Sequence, residues 1–125
     1  MRLDIQGSAM AGHSTVRRHA EQRALFELAR YGECIEAVRL RVTERPWAAE
    51  HRFHCGIAVT VRHDDGTSGH VLARSEGDDV FRLIDTVLGR ASSLVGGEIE
   101  RALTAREARD RWVTLAATAS AGRGS

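Results

Sequence analysis

The sequence contains no lysine. All 18 of its Lys+Arg positions are arginine, set against 17 acids for a net charge of +1. A balance so close to zero argues against a strongly basic nucleic-acid binder. The Arg-only usage points the other way, because guanidinium makes planar bidentate contacts with phosphate and stacks on bases. Codon bias yields the same usage in a chain also rich in Ala and Gly. Long apolar runs are missing too, and none reaches the ~20 residues of a membrane-spanning helix. Met1-Arg2-Leu3-Asp4-Ile5 has no apolar signal-peptide core, so a cytoplasmic protein is expected. Cysteine is limited to Cys34 and Cys55. A disulfide is not expected in that compartment, and Cys55, set among alternating apolar residues, reads as a buried thiol. There is no phosphate-cradling glycine loop, no nucleophile elbow, and no Cys–His pair at a meaningful spacing. No enzymatic activity and no cofactor is therefore expected. Internal repeats are absent, and 125 residues fit one domain.

Two residue groups invite a metal reading. His51, His54 and Cys55 are close in sequence, with His63 and His70 further on, but their spacing matches no standard zinc pattern. They read as exposed strand histidines. Asp64, Asp65, Asp78 and Asp79 are explained by turn and cap chemistry. No metal site is expected.

What the sequence does have is a strand, a turn and a long helix in His70–Ser93, HVLARSEGDDVFRLIDTVLGRASS. Val71 and Ala73 alternate with His70 and Arg74, the period of a half-buried strand. Gly77 breaks it, with access to a positive φ. Asp78 or Asp79 then stands as an N-cap. Val80, Ile84, Val87/Leu88, Ala91 and Leu94/Val95 form the helix's apolar stripe.

The rest of the chain follows the same logic. Residues 2–6 alternate as a first strand, and Gly7-Ser8 ends it. Ser14 or Thr15 caps a helix running to about Tyr31, with Val16, Ala20, Ala24 and Leu28 inward, Leu25 and Phe26 widening the stripe, and Gly32 just past its end. In Ile35–Glu44, Val38, Leu40 and Val42 face one way and Ala37, Arg39, Arg41 and Thr43 the other. Residues 45–50 form a loop around Pro46, with Trp47 read as an anchor on the core. Residues 52–62 alternate most cleanly, with Phe53, Cys55, Ile57, Val59 and Val61 inward. Asp64-Asp65-Gly66 signals a hairpin into a strand at Gly69–Ser75. The second helix reaches Leu103 or continues to Trp112, with a kink or early end at Gly96-Gly97, and a frayed tail follows.

The expected fold is α+β, ordered β-α-β-β-β-α, with two helices packed on one face of a four-stranded mixed sheet. Residues 1–104 form the domain, and 105–125 a helix extension and flexible C-terminal tail. The solvated sheet face shows Arg39, Arg41, Arg62 and Arg74, a positive patch despite the neutral total.

The motif HVLARSEGDDVFRLIDTVLGR, a strand ending in Ala-x-Ser-Glu-Gly before Asp-hydrophobic-aromatic-x-x-Ile-Asp, resembles the ribosome hibernation-promoting factor family. That family includes the ribosome-associated inhibitor A proteins. LDIQG before a helix is similar to the family's opening strand, and the likeness covers roughly residues 1–103. The resemblance implies a non-enzymatic partner of the small ribosomal subunit. It would contact 16S rRNA in the mRNA/tRNA channel and inhibit or store ribosomes under stress or in stationary phase. It also implies the short form, without a second domain. Basic family positions map to Arg17, Arg23, Arg90 and Arg101. Together with Arg39, Arg41 and Arg74 of the sheet face, these are the expected RNA-binding residues, acting through phosphate. One departure stands out. Short members are lysine-rich late in the second helix, whereas Val95-Gly96-Gly97-Glu98-Ile99-Glu100 has two acids and no base. Arg106, Arg109 and Arg111 follow it. The alternative function is a protein-interaction or self-associating module of the same fold, a homo-dimer with weak or lost RNA binding.

Overall fold

The computed structural model describes residues 1–10, 13–47 and 50–123, with side chains described as far as Ala117. Its elements are β1 (Arg2–Gln6), α1 (Ser14–Leu28), β2 (Ile35–Glu44), β3 (Phe53–Arg62), β4 (Ser68–Gly77) and α2 (Val80–Arg123). Single 3-10 stretches follow β1 at Ser8–Met10 and α1 at Ala29–Cys34. The sheet runs β1-β2-β3-β4, with β1 parallel to β2 and the other pairs antiparallel. A parallel pair needs a crossover, and α1 supplies it. This is the α+β architecture expected.

Strand alternation builds the core. Ile5, Leu40, Ile57 and Ala73 are successive cross-strand partners, and all are buried. Val38, Val59 and Val71 form the next row. A bulge between Ile35 and Ala37 turns Ile35 inward as well as Val38. Against these rows α1 sets Val16, Ala20, Ala24 and Leu28, and α2 sets Leu83, Ile84, Val87, Leu88, Ala91 and Val95. Each large aliphatic side chain removed from water contributes about 1.5–3 kcal/mol.

Two junctions fix the layers. Gly7 has φ +121°, and a Cβ there would lie 2.0 Å from the Val42 carbonyl oxygen. Only glycine lets the chain leave β1 across the β2 backbone. At the start of α2, Asp79 Oδ1 accepts the Phe81 and Arg82 amides at 3.1 and 3.2 Å. Asp78 instead accepts the Arg52 amide at 3.1 Å, tying the β2–β3 connection to the same corner.

Several expectations are corrected. Gly77 is extended and pairs with Phe53, so β4 runs longer than read and the turn is made by Asp78-Asp79. The residue capping α1 is His13, without a side-chain bond. Ser14 and Thr15 are already helical; Arg17 Nη1 donates to the Ile5 carbonyl at 3.2 Å and ties this end to β1. Leu25 and Phe26 do not widen the α1 stripe. Phe26 is 73% exposed under the Arg23 guanidinium. Trp47 is not a core anchor, since it is 80% exposed. Leu94 is exposed, since its neighbour Val95 takes the inward place.

The longest departure is α2. Gly96-Gly97 neither kinks nor ends it, and it continues past Trp112 to Arg123. Alanine, the strongest helix former, recurs at 102, 105, 108, 116 and 117. The β3–β4 turn also braces it, through Arg106–Asp64 at 2.8 Å and Arg109–Asp65 at 3.8 Å. Gly124 and Ser125 of the expected tail lie outside the described residues, as do Ala11, Gly12, Ala48 and Ala49 of the two expected loops. From Leu103 to Ala117 every side chain is exposed. No helix among the described residues is long and apolar enough to cross a membrane.

Candidate nucleic-acid interface

The sheet face away from the helices follows directly from strand parity. Register places Asp4, Arg39, Ala58 and Leu72 in one cross-strand row, and Gln6, Arg41, Gly56 and Arg74 in the next. Two positions on β3 therefore carry almost no side chain; Gly56 lies between Arg41 and Arg74, and Ala58 between Arg39 and Leu72. A Cβ on Gly56 would meet the Arg74 side chain at 3.6 Å, an ordinary van der Waals contact. A shallow cleft of about 580 Å³ opens here, lined by Arg41, Arg45, His54 and Arg74. Exposed Leu72 adds an apolar spot on the same face.

The guanidiniums of this face are largely uncommitted. Among the described residues, Arg41 and Arg74 have no hydrogen-bond or ion-pair partner for their side chains. Arg39 lies 4.0 Å from Asp4 and is 76% exposed, too loose a pair to neutralise it. One acid, Glu76, also lines the cleft, and it lies 3.4 Å from His54 Nδ1. Arg90 reaches from α2 to the β4 edge and donates to the Arg74 carbonyl at 3.2 Å.

The other expected residues are not gathered there. Arg17 is bonded to the Ile5 carbonyl. Arg23 pairs with Glu27 at 2.9 Å and Asp85 at 3.4 Å, beside His19, which meets the same Asp85 at 2.8 Å. Arg101 is held by Glu98 at 2.6 Å. Arg62 lies 3.6 Å from Glu36. The structure thus brings Arg39, Arg41 and Arg74 together, places Arg90 at their edge, and spends Arg17, Arg23 and Arg101 on internal contacts. Arg45 went unnoticed in the sequence, although Arg39, Arg41, Thr43 and Arg45 share one parity.

The acidic segment late in α2 also has a structural explanation. Glu98 meets His63 Nε2 at 3.2 Å and sits over Gly69, where a Cβ would fall 2.2 Å from its Oε1. Its charge is turned to the β3–β4 hairpin and Arg101. In that hairpin the Thr67 hydroxyl and amide hold the Asp65 carboxyl below its ordinary range, helped by Arg109. Gly66 takes φ +86° in the turn. Both thiols are free, and burial pushes the Cys55 thiol up to about 12, far from a reactive thiolate. Among the described residues, no three His, Cys, Asp or Glu converge as a metal site.

No protein-family model matches the sequence, and no curated protein does. Solved structures share the fold. The N-terminal domain of Thermus thermophilus protein Y superposes with a TM-score of 0.58 at 21% identity, covering 76% of this chain and 96% of that one. A ribosomal subunit interface protein from Coxiella burnetii gives 0.53 at 14% identity, covering 78% and 97%. Likeness at such identities is one of fold.

Proposed function

We propose that this protein is a ribosome-associated translation regulator whose open sheet face binds RNA of the small ribosomal subunit. The observation that carries the reading is the pair Arg41 and Arg74, unpartnered across the Gly56 floor, with Arg39 beside them. Free guanidiniums on a shallow, small-residue surface suit a phosphate backbone laid across the strands. The fold shared with protein Y and the subunit interface protein supports the ribosome as the source of that RNA. In this reading the protein contacts 16S rRNA in the mRNA/tRNA channel and blocks it by occupancy, inhibiting or storing ribosomes under stress or in stationary phase. Arg39, Arg41 and Arg74 carry the contact and Arg90 flanks it. Arg17 and Arg23 tie α1 to β1 and α2, so replacing them costs stability rather than affinity.

Co-sedimentation with purified small subunits tests this. The wild type is expected in the ribosomal fraction at low salt, and R41A/R74A is expected to bind at least tenfold more weakly with unchanged thermal unfolding. A wild type that stays in the supernatant at low salt sinks the proposal.

A further inference from the structure

The cationic cleft of the sheet face ends at an uncovered ring. Arg41, Thr43 and Arg45 line the cleft in succession along the path of β2, and two residues further on stands Trp47. At 80% it is the most exposed large apolar side chain among the described residues. Two residues of chain reach about 7 Å at most, so Trp47 stands at the Arg45 end of the cleft.

The corner that carries the ring is braced. The Arg45 amide donates to the Arg52 carbonyl at 2.6 Å. The Arg52 guanidinium in turn donates to Glu44 at 2.6 and 2.8 Å, and its amide donates to Asp78. Pro46 fixes its own φ and holds Arg45 towards extended backbone. A side chain on a stiff corner loses less freedom when a ligand meets it.

No other Phe, Tyr or Trp ring sits beside this cleft. Phe26 lies on α1 and Tyr31 just after it, Phe53 packs against the core, and Phe81 and Trp112 lie on α2. The cleft supplies guanidiniums for phosphates, and Trp47 supplies a π-face on which a base can stack. A duplex keeps its bases stacked and paired within the helix. An unpaired nucleotide presents its face freely.

We infer that the cleft takes single-stranded RNA, with phosphates on Arg41, Arg45 and Arg74 and one unpaired base stacked on Trp47. The inference rests on the RNA-binding reading of the sheet face and specifies the form of RNA it takes.

Fluorescence titration of the full chain tests it, with W112F removing the other of the two tryptophans. The probes are a single-stranded RNA of about twelve nucleotides without self-complementarity, and the same strand annealed to its complement. At low salt the single strand is expected to quench Trp47 emission to saturation. W47A is expected to weaken single-strand binding at least fivefold, with W47Y recovering part of the loss. Duplex binding, followed by anisotropy of labelled RNA, is expected to be the same in W47A and wild type. Stacking releases no counterions, so W47A keeps the wild-type slope of log affinity against log salt. Its thermal unfolding is expected to match wild type. Single-strand binding that depends on Arg41 and Arg74 but not on Trp47 overturns the inference and leaves the RNA-binding reading standing. So does a W47A loss that is equal for single strand and duplex. Absence of binding to either form overturns both readings together.

Discussion

At the scale of single residues, the least replaceable position is Gly7. Its positive φ and the 2.0 Å approach of a hypothetical Cβ to Val42 act together. G7A is expected to destabilise by about 3 kcal/mol, from strain plus overpacking, read as a shift in the urea midpoint. Cys55 makes a different prediction. Its thiol is raised from 9.0 to about 12 in the fold, so the unfolded chain loses that proton first. The stabilisation is fully present below pH 9.0 and is lost as pH climbs towards about 12. Its size is on the order of a few kcal/mol. Urea titrations at successive pH values should therefore show a steeper alkaline decline for wild type than for C55A. An unchanged slope would refute the assignment.

At the scale of elements, α2 offers a contrast between adjacent glycines. Gly97 is exposed, with nothing within 4 Å of a Cβ, whereas a Cβ at Gly96 falls 3.0 Å from the Tyr31 hydroxyl. That hydroxyl donates to the Ser92 carbonyl at 2.7 Å. G97A is expected to stabilise by about 1 kcal/mol through helix propensity alone, while G96A shows no such gain. Differential scanning calorimetry separates the two. Elements of this kind were the part of the fold most legible in the sequence. Period-two alternation in β2 and β3 and the four-residue spacing in α1 and α2 are local properties that burial must obey, and Asp79 announced its cap. The site was legible only as far as parity reaches. Arg39, Arg41 and Arg74 share a face because strands alternate. That Arg23 belongs to Asp85 and Glu98 to His63 depends on packing between segments far apart in sequence, which no spacing encodes.

At the scale of the whole molecule, a net charge of +1 conceals an uneven distribution. Acids hold Arg23, Arg101, Arg106 and Arg109 of the helices, whereas Arg41 and Arg74 of the open sheet face have no acid partner among the described residues. Binding to RNA should therefore depend on salt as a local patch does. R41A/R74A is expected to flatten the slope of log affinity against log salt by roughly two, one per phosphate contact. Co-sedimentation repeated over a salt series measures that slope, and identical slopes would exclude these two arginines from the contact.

The 44 residues of α2 make a rod of about 66 Å, while β4, at 10 residues, spans about 33 Å. A body with such a spar reorients unevenly, spinning readily about the spar and turning slowly end over end. Amide bonds aligned with α2 sense only the slow motion, so their nitrogen relaxation should report a longer correlation time than bonds lying across it.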